Sequence, residues 1–200
     1  MNFAVLASGN GSNLQAIINA VKKGRIKGTL TLVISDKPEA MALTRARKAG
    51  VKTVLFVNPK EFPTREDYDD ELVSLLRKEK VGLVVLAGFM RILSPVFVKA
   101  FPHKIINVHP ALFPAFKGAH AVRDALAHGV KVTGVSVHFV DEEVDRGALI
   151  AQAPVEVKPK DTIETLSKRI HKTEHVIYPR VVDLFLRGKY KVVGRIVKVK

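Results

Sequence analysis

Residues 81–87, Val-Gly-Leu-Val-Val-Leu-Ala, are apolar throughout. A strand with one solvated face alternates polar and apolar side chains. A strand without a polar face has to be covered on both sides, the usual condition of a parallel sheet flanked by helices. The rest of the chain supplies the matching parts. Short apolar runs recur at 3–7, 29–35, 52–57, 104–108, 132–140 and 149–157. Between them lie stretches of helical spacing. Leu14, Ile17, Ile18 and Val21 make one stripe, ended by Gly24, and 40–49 ends at Gly50. Tyr68, Leu72, Leu75 and Leu76 make another, opened by Thr64 with Asp67 three residues on. A shorter helix spans 119–128. A long one opens at Asp161 with Glu164 and carries Ile163, Leu166 and Ile170, and Pro179 is expected to bend or split it. The basic tail, 187–200, reads as a last edge strand guarded by lysines. The expected fold is a doubly wound α/β domain with a mostly parallel sheet. Two hundred residues suit one such domain.

Open sheets of this kind bind ligands at the carboxyl ends of their strands. Two such ends carry polar groups. After the first strand comes Ser8-Gly9-Asn10-Gly11-Ser12-Asn13, leading into a helix. A strand, a glycine-rich turn and a helix start present backbone N–H groups and a positive helix end to an anion. The dinucleotide fingerprint fails, because Leu14 stands where a third small residue is needed. Asp36 at the end of the second strand keeps a dehydrogenase as a minor alternative. No Gly-Lys-Ser/Thr follows, so the turn is not a Walker loop. Ser12 with Gln15 also fits a capping box, the plain structural reading of that serine.

The second end is Asn107-Val108-His109-Pro110. Asn107 and His109 are two apart, so both point to one face of a strand. Pro110, without an N–H, ends the ladder. An amide and an imidazole together can donate hydrogen bonds to a developing oxyanion, and the imidazole can also deliver a proton. Asp145, after a further strand-like run, is within chain reach to favour the charged imidazole and relay protons through water. The chemistry this trio supports is acyl transfer to a nucleophile carried by the substrate. The plain alternative, a strand end and tight turn capped by polar side chains, weighs about as much for so short a motif. In 132–140, Val135, Val137 and Phe139 share one face, and Ser136 and His138 the other. His138 reads as a buried, hydrogen-bonded structural histidine near the site.

Cysteine is absent, which excludes disulfides, a thiol nucleophile and thiolate-bound metal. The formal net charge is +14, but lysine and arginine are spread along the chain with no nucleic-acid motif. Small anionic substrates suit it as well as a polyanion. The first residues form a strand and not a leader, and no apolar run reaches a membrane span, so a cytoplasmic protein that binds neither nucleic acid nor membrane is expected. His171-Lys172-Thr173-Glu174-His175 matches the H-x-x-E-H zinc pattern literally. With no third ligand motif, and with the Asn107/His109 end left unexplained by a metalloprotease, no metal is expected.

Asn107-Val108-His109-Pro110-Ala111-Leu112-Phe113-Pro114, Gly118 and Ser136-Val137-His138-Phe139-Val140 resemble the signature of the 10-formyltetrahydrofolate-dependent formyltransferases. Ser8 to Gln15 and Ala87-Gly88-Phe89-Met90-Arg91-Ile92-Leu93 extend the likeness over nearly the whole chain. The resemblance implies a Rossmann-like formyltransferase domain over 1–200. Residues 1–100 would form its nucleotide-phosphate half and 101–200 its folate and catalytic half. It implies transfer of a formyl group from 10-formyltetrahydrofolate to the amine of glycinamide ribonucleotide in purine synthesis. Asn107, His109 and Asp145 would be catalytic. Gly11, Ser12 and Asn13 would hold the substrate phosphate and Glu174 the ribonucleotide. The folate would meet Arg65 at its anionic tail and Met90, Arg91, Ile92 and Leu93 at its pterin. Asn107, Asp141, Val144 and Asp145 would complete its pocket. Phe113-Pro114 matches a special turn of the family, for which a cis bond is expected. Arg146 departs from the family pattern, which often has Gly-Gly after the aspartate. Formylation of methionyl-tRNA and hydrolysis of the folate remain alternatives within the family, and a nucleic-acid binder one outside it. A monomer or a homodimer would serve.

Overall fold

A computed structural model describes residues 1–142 and 147–199. Strands β1 (Asn2–Leu6), β2 (Thr29–Ser35), β3 (Thr53–Phe56), β4 (Val81–Leu86) and β5 (Ile105–His109) lie parallel in the order β3-β2-β1-β4-β5. β4, whose apolar run set the expectation, pairs with β1 and β5, and only Gly82 within it is not buried. β6 (Val132–Phe139) and β7 (Leu149–Glu156) then add antiparallel strands beyond β5. The tail forms not one edge strand but a hairpin, β8 (Tyr190–Val193) and β9 (Ile196–Val199). β9 touches β7 through the pair Leu149 and Ile196, which leaves the lysine-bearing β8 at the edge. Gly194, in the left-handed region at φ 59°, makes the reversal that a single strand would have lacked.

Helices cover both faces, as a strand without a polar side demands. On one face α1 (Ser12–Lys22), α2 (Met41–Ala49) and α6 (Ile163–Leu186) bury Leu14, Ile17, Leu43, Ile170 and Tyr178 against Phe3, Val5, Leu83 and Val85. On the other, α3 (Arg65–Lys78) and α4 (Pro95–Ala100) bury Tyr68, Leu72, Leu76 and Phe97 against Ala4, Leu6, Val84 and Ile105. The short α5 (Ala121–Ala127) packs on α6. Each fully buried aliphatic side chain contributes roughly 1.5–3 kcal/mol. Thr64 and Asp67 form the expected capping box of α3. Pro179 does not split α6. It is itself buried, and packing on the sheet holds the turns on both sides in one helix. Among the described residues no helix is long and apolar enough to cross a membrane.

The chain runs outward from β1 to β3, then returns to start again at β4 on β1's other side. The connections after β1 and β4 therefore leave in opposite directions, and a crevice opens where they part. The Ser8 N–H donates to the Gly88 carbonyl at 2.9 Å across this point.

Candidate active site

The glycine turn enters α1 through Gly11, which sits in the left-handed region at φ 72°. A Cβ on Gly11 would lie 2.8 Å from Ala42 Cα, so both backbone conformation and contact require glycine. Gln15 N–H to Gly11 O, at 2.9 Å, is the first intrahelical bond. The N–H groups of Ser12, Asn13 and Leu14 precede it and have no carbonyl four residues back within the helix. The expected Ser12/Gln15 capping box does not form. Gly11 is the N-cap, no side chain caps it, and Gln15 bonds Asn19 and Arg45 instead. The helix start is left without a side-chain cap, which suits an external anion.

Asn13 turns inward. Its Nδ2 donates to Glu174 Oε2 at 2.8 Å, and both residues are buried. His171 Nδ1 reaches the same oxygen at 2.9 Å. The Glu174 carboxylate raises the His171 pKa above its ordinary value, whereas burial lowers that of His175. One Glu174 oxygen thus serves both Asn13 and His171. Among the described residues no group of three or more His, Cys, Asp or Glu is placed to hold a metal. A groove of about 620 Å³ runs between α1 and α6 from Ser12 and His175 to Lys23 and Arg25, outside the Asn107/His109 end.

The second loop, after β4, is pinned from three sides. Ser8 Oγ accepts the Met90 N–H at 2.8 Å. The Arg91 guanidinium lies 4.8 Å from the centre of the Tyr68 ring. Asp69 Oδ2, buried, accepts the Ser94 N–H at 2.6 Å. Burial raises the pKa of Asp69, and the Ser94 hydrogen bonds oppose the rise. The four apolar residues of this loop divide. Phe89 and Leu93 join the core, but Met90 and Ile92 stand 72% and 59% exposed. Arg65 is exposed in the first turn of α3, paired with Glu66 at 3.0 Å, on the same end of that helix as Tyr68 and Asp69.

Asn107 and His109 share a face of β5, opposite His138 and Ser136 of β6. His138 is buried, and its Nδ1 lies 2.7 Å from the Phe139 carbonyl. A carbonyl only accepts, so Nδ1 carries the proton and Nε2 is the acceptor. Asn107 Nδ2 lies 3.3 Å from that Nε2 and donates to it. His138 thereby fixes which way the Asn107 amide points. His109 is 5% exposed and stacks on Phe113 at 4.6 Å. Its Nε2 donates to the Phe116 carbonyl at 2.7 Å.

The turn that carries these groups is held by side chains the sequence reading left without a role. Ser136 Oγ donates to Ala111 O and accepts the Phe113 N–H and a Gln152 Nε2 hydrogen. Gln152 Nε2 also reaches Phe113 O at 3.1 Å. The Phe113-Pro114 bond is cis, as expected. The Tyr178 hydroxyl lies 2.7 and 3.0 Å from the carbonyls of Leu86 and Ile106, bridging β4 and β5 beneath the site. Serine and tyrosine alone gave no signal of this. The strand alternation that puts Ser136 beside His138 could have given it. Asp141, two residues after β6, is exposed. Val144 and Asp145 lie outside the described residues. Gly147, just beyond them, is pressed so closely on the Phe139 carbonyl that a Cβ would overlap it, which requires glycine at that position.

A protein-family profile described as Formyl transferase matches residues 1–182. Phosphoribosylglycinamide formyltransferase of Escherichia coli is 47% identical over 191 residues, covering 96% of this chain and 90% of that protein. The human trifunctional purine biosynthetic protein adenosine-3 is 43% identical over 185 residues, 92% of this chain but 18% of its own length. The crystal structure of glycinamide ribonucleotide transformylase 1 from Symbiobacterium toebii superposes with a TM-score of 0.97 at 46% identity, over 100% of this chain and 93% of that one.

Proposed function

The chain belongs to the formyl transferase family, and on that premise we propose that it transfers the formyl group of 10-formyltetrahydrofolate to the amine of glycinamide ribonucleotide in purine biosynthesis. The observation that carries this reading is the juxtaposition at one end of the sheet. An uncapped helix start follows β1, an apolar pair, Met90 and Ile92, follows β4, and Asn107 with His109 ends β5.

In this reading the substrate phosphate takes the backbone N–H groups at Gly11, Ser12 and Asn13, and Glu174 meets the ribonucleotide. The pterin lies against Met90, Arg91, Ile92 and Leu93, with Asn107, Asp141 and Val144 around it. Arg65 reaches the folate's anionic tail. The amine attacks the formyl carbon, a new N–C bond forms, and the carbonyl oxygen becomes an oxyanion. The second Asn107 amide hydrogen and the His109 Nε2–H stabilise it. To do so His109 Nε2 must give up its hydrogen bond to the Phe116 carbonyl. The bond from carbon to N10 then breaks, and the amine's proton ends on N10. Asp145 favours the charged imidazole and helps carry that proton through water. No metal and no covalent enzyme intermediate takes part. One chain carries every group invoked, so a monomer or a homodimer serves equally, and no nucleic acid or membrane is needed.

The test is an acceptor assay with 10-formyltetrahydrofolate, read by the change in folate absorbance. Formyl transfer to glycinamide ribonucleotide, with none to methionyl-tRNA, is expected. Transfer to methionyl-tRNA with the ribonucleotide inert would overturn the assignment.

A further inference from the structure

Arg45 lies on α2, outside every residue given a role above, yet all three of its guanidinium nitrogens are committed to the glycine turn. Nε donates to the Asn10 carbonyl at 2.8 Å, Nη2 to Asn10 Oδ1 at 3.2 Å and Nη1 to Gln15 Oε1 at 3.3 Å. A solvated surface arginine has no reason to span 35 and 30 residues of chain with such a fork. The same helix meets the turn twice more. The Ala42 N–H, in α2's uncapped first turn, donates to Gly9 O at 3.1 Å, and Ala42 Cα sets the close approach to Gly11. The turn thus caps α2, and α2 in return grips Gly9, Asn10 and Gly11 in sequence.

We propose that Arg45 is a positioning residue for phosphate recognition: it fixes the carbonyl of Asn10 and so aims the N–H groups that follow at the phosphate. Fixing that carbonyl away from the ligand matters because a carbonyl facing a phosphate repels it. The guanidinium also adds a permanent positive charge next to Gly11. The consequence is specificity for a phosphomonoester over the same substrate without its phosphate. The proposal rests on the phosphate reading of this turn given above.

The test compares Arg45→Ala and Arg45→Lys with the unaltered protein, using glycinamide ribonucleotide and its dephosphorylated nucleoside. Arg45→Ala is expected to raise KM for the ribonucleotide about 10- to 100-fold, the range for loss of a charge-assisted hydrogen bond. The KM of the nucleoside, the folate Kd and kcat at saturation should stay within about threefold, a spread below that range. Arg45→Lys keeps the charge but not the fork, and is expected to recover only part of the loss. If Arg45→Ala raises both KM values equally, or lowers kcat with KM unchanged, the proposal fails. If the unaltered protein itself does not discriminate the two substrates, the phosphate reading fails first.

Discussion

Two loops stand side by side at the carboxyl end of the sheet, one after β1 and one after β4, and they are built in opposite senses. The first turns Asn13 inward onto Glu174, has no side chain at Gly11, and leaves the N–H groups of Ser12, Asn13 and Leu14 without a partner inside the helix or a side-chain cap. The second hides its polar anchors, with Arg91 on Tyr68 and Ser94 on Asp69, and turns Met90 and Ile92 outward. A surface of backbone dipoles suits an anion; a surface of thioether and aliphatic groups suits a flat ring. Topology places the two loops alike, and only the residues decide which group each takes. Ser8 joins them, with its N–H on Gly88 O and its hydroxyl on the Met90 N–H.

If the two loops are separate in function, substitutions should separate them. Gly11→Ala forces a Cβ into Ala42 and a side chain into the left-handed region. Ribonucleotide affinity is expected to fall at least tenfold and stability by about 1–3 kcal/mol, while folate affinity is nearly kept. Calorimetry on both ligands with a thermal unfolding curve checks this, and an equal loss for both ligands would erase the distinction. Ile92→Asp, on the other loop, should do the reverse. Folate affinity falls about tenfold, the worth of one apolar contact of roughly 1–2 kcal/mol, and the ribonucleotide is unaffected. Because Ile92 is exposed, the unfolding temperature should hardly move.

A smaller effect lies at the back of the first loop. Glu174 raises the pKa of His171, so that pair stabilises the fold fully below the ordinary histidine value and loses its contribution as pH rises through the raised one. Glu174→Gln should lower the His171 pKa, measured by NMR titration, and the stability gap to the parent protein should narrow from pH 5 to 8. An unmoved His171 would detach Glu174 from that histidine. The smallest expected effect is none at all: thorough chelation should leave turnover unchanged, since the proposed transfer uses no metal and no group of three or more His, Cys, Asp or Glu among the described residues is placed to hold one. Loss of activity restored by zinc would contradict it.

Much of this was legible in the chain itself. The run at 81–87 required a sheet covered on both faces, and the Asn-x-His spacing put both side chains on one face of β5. The glycine turn announced a helix start, but its capping was misread. Ser12 and Gln15 have the right spacing, and only the packing of α2 shows that Gly11 takes the cap and Arg45 takes Gln15. Spacing likewise could not divide Phe89 and Leu93 from Met90 and Ile92, because the division depends on where α3 lies. The hairpin at the C-terminus turned on Gly194, whose backbone freedom says where a turn is possible and not that it occurs. The anchors Gln152 and Tyr178 act on carbonyls distant in sequence, so no local pattern marks them, whereas strand alternation does put Ser136 on the His138 face.

The central claim is that His109 acts on the transferring group between two independently held ligands. Single-turnover formyl transfer by His109→Asn, with both ligand affinities measured on the same protein, tests it most directly. The rate is expected to fall roughly 100-fold or more, the worth of one general-acid or oxyanion contact, with both Kd values nearly unchanged. A near-normal rate, or a fall explained entirely by weaker binding, would contradict it.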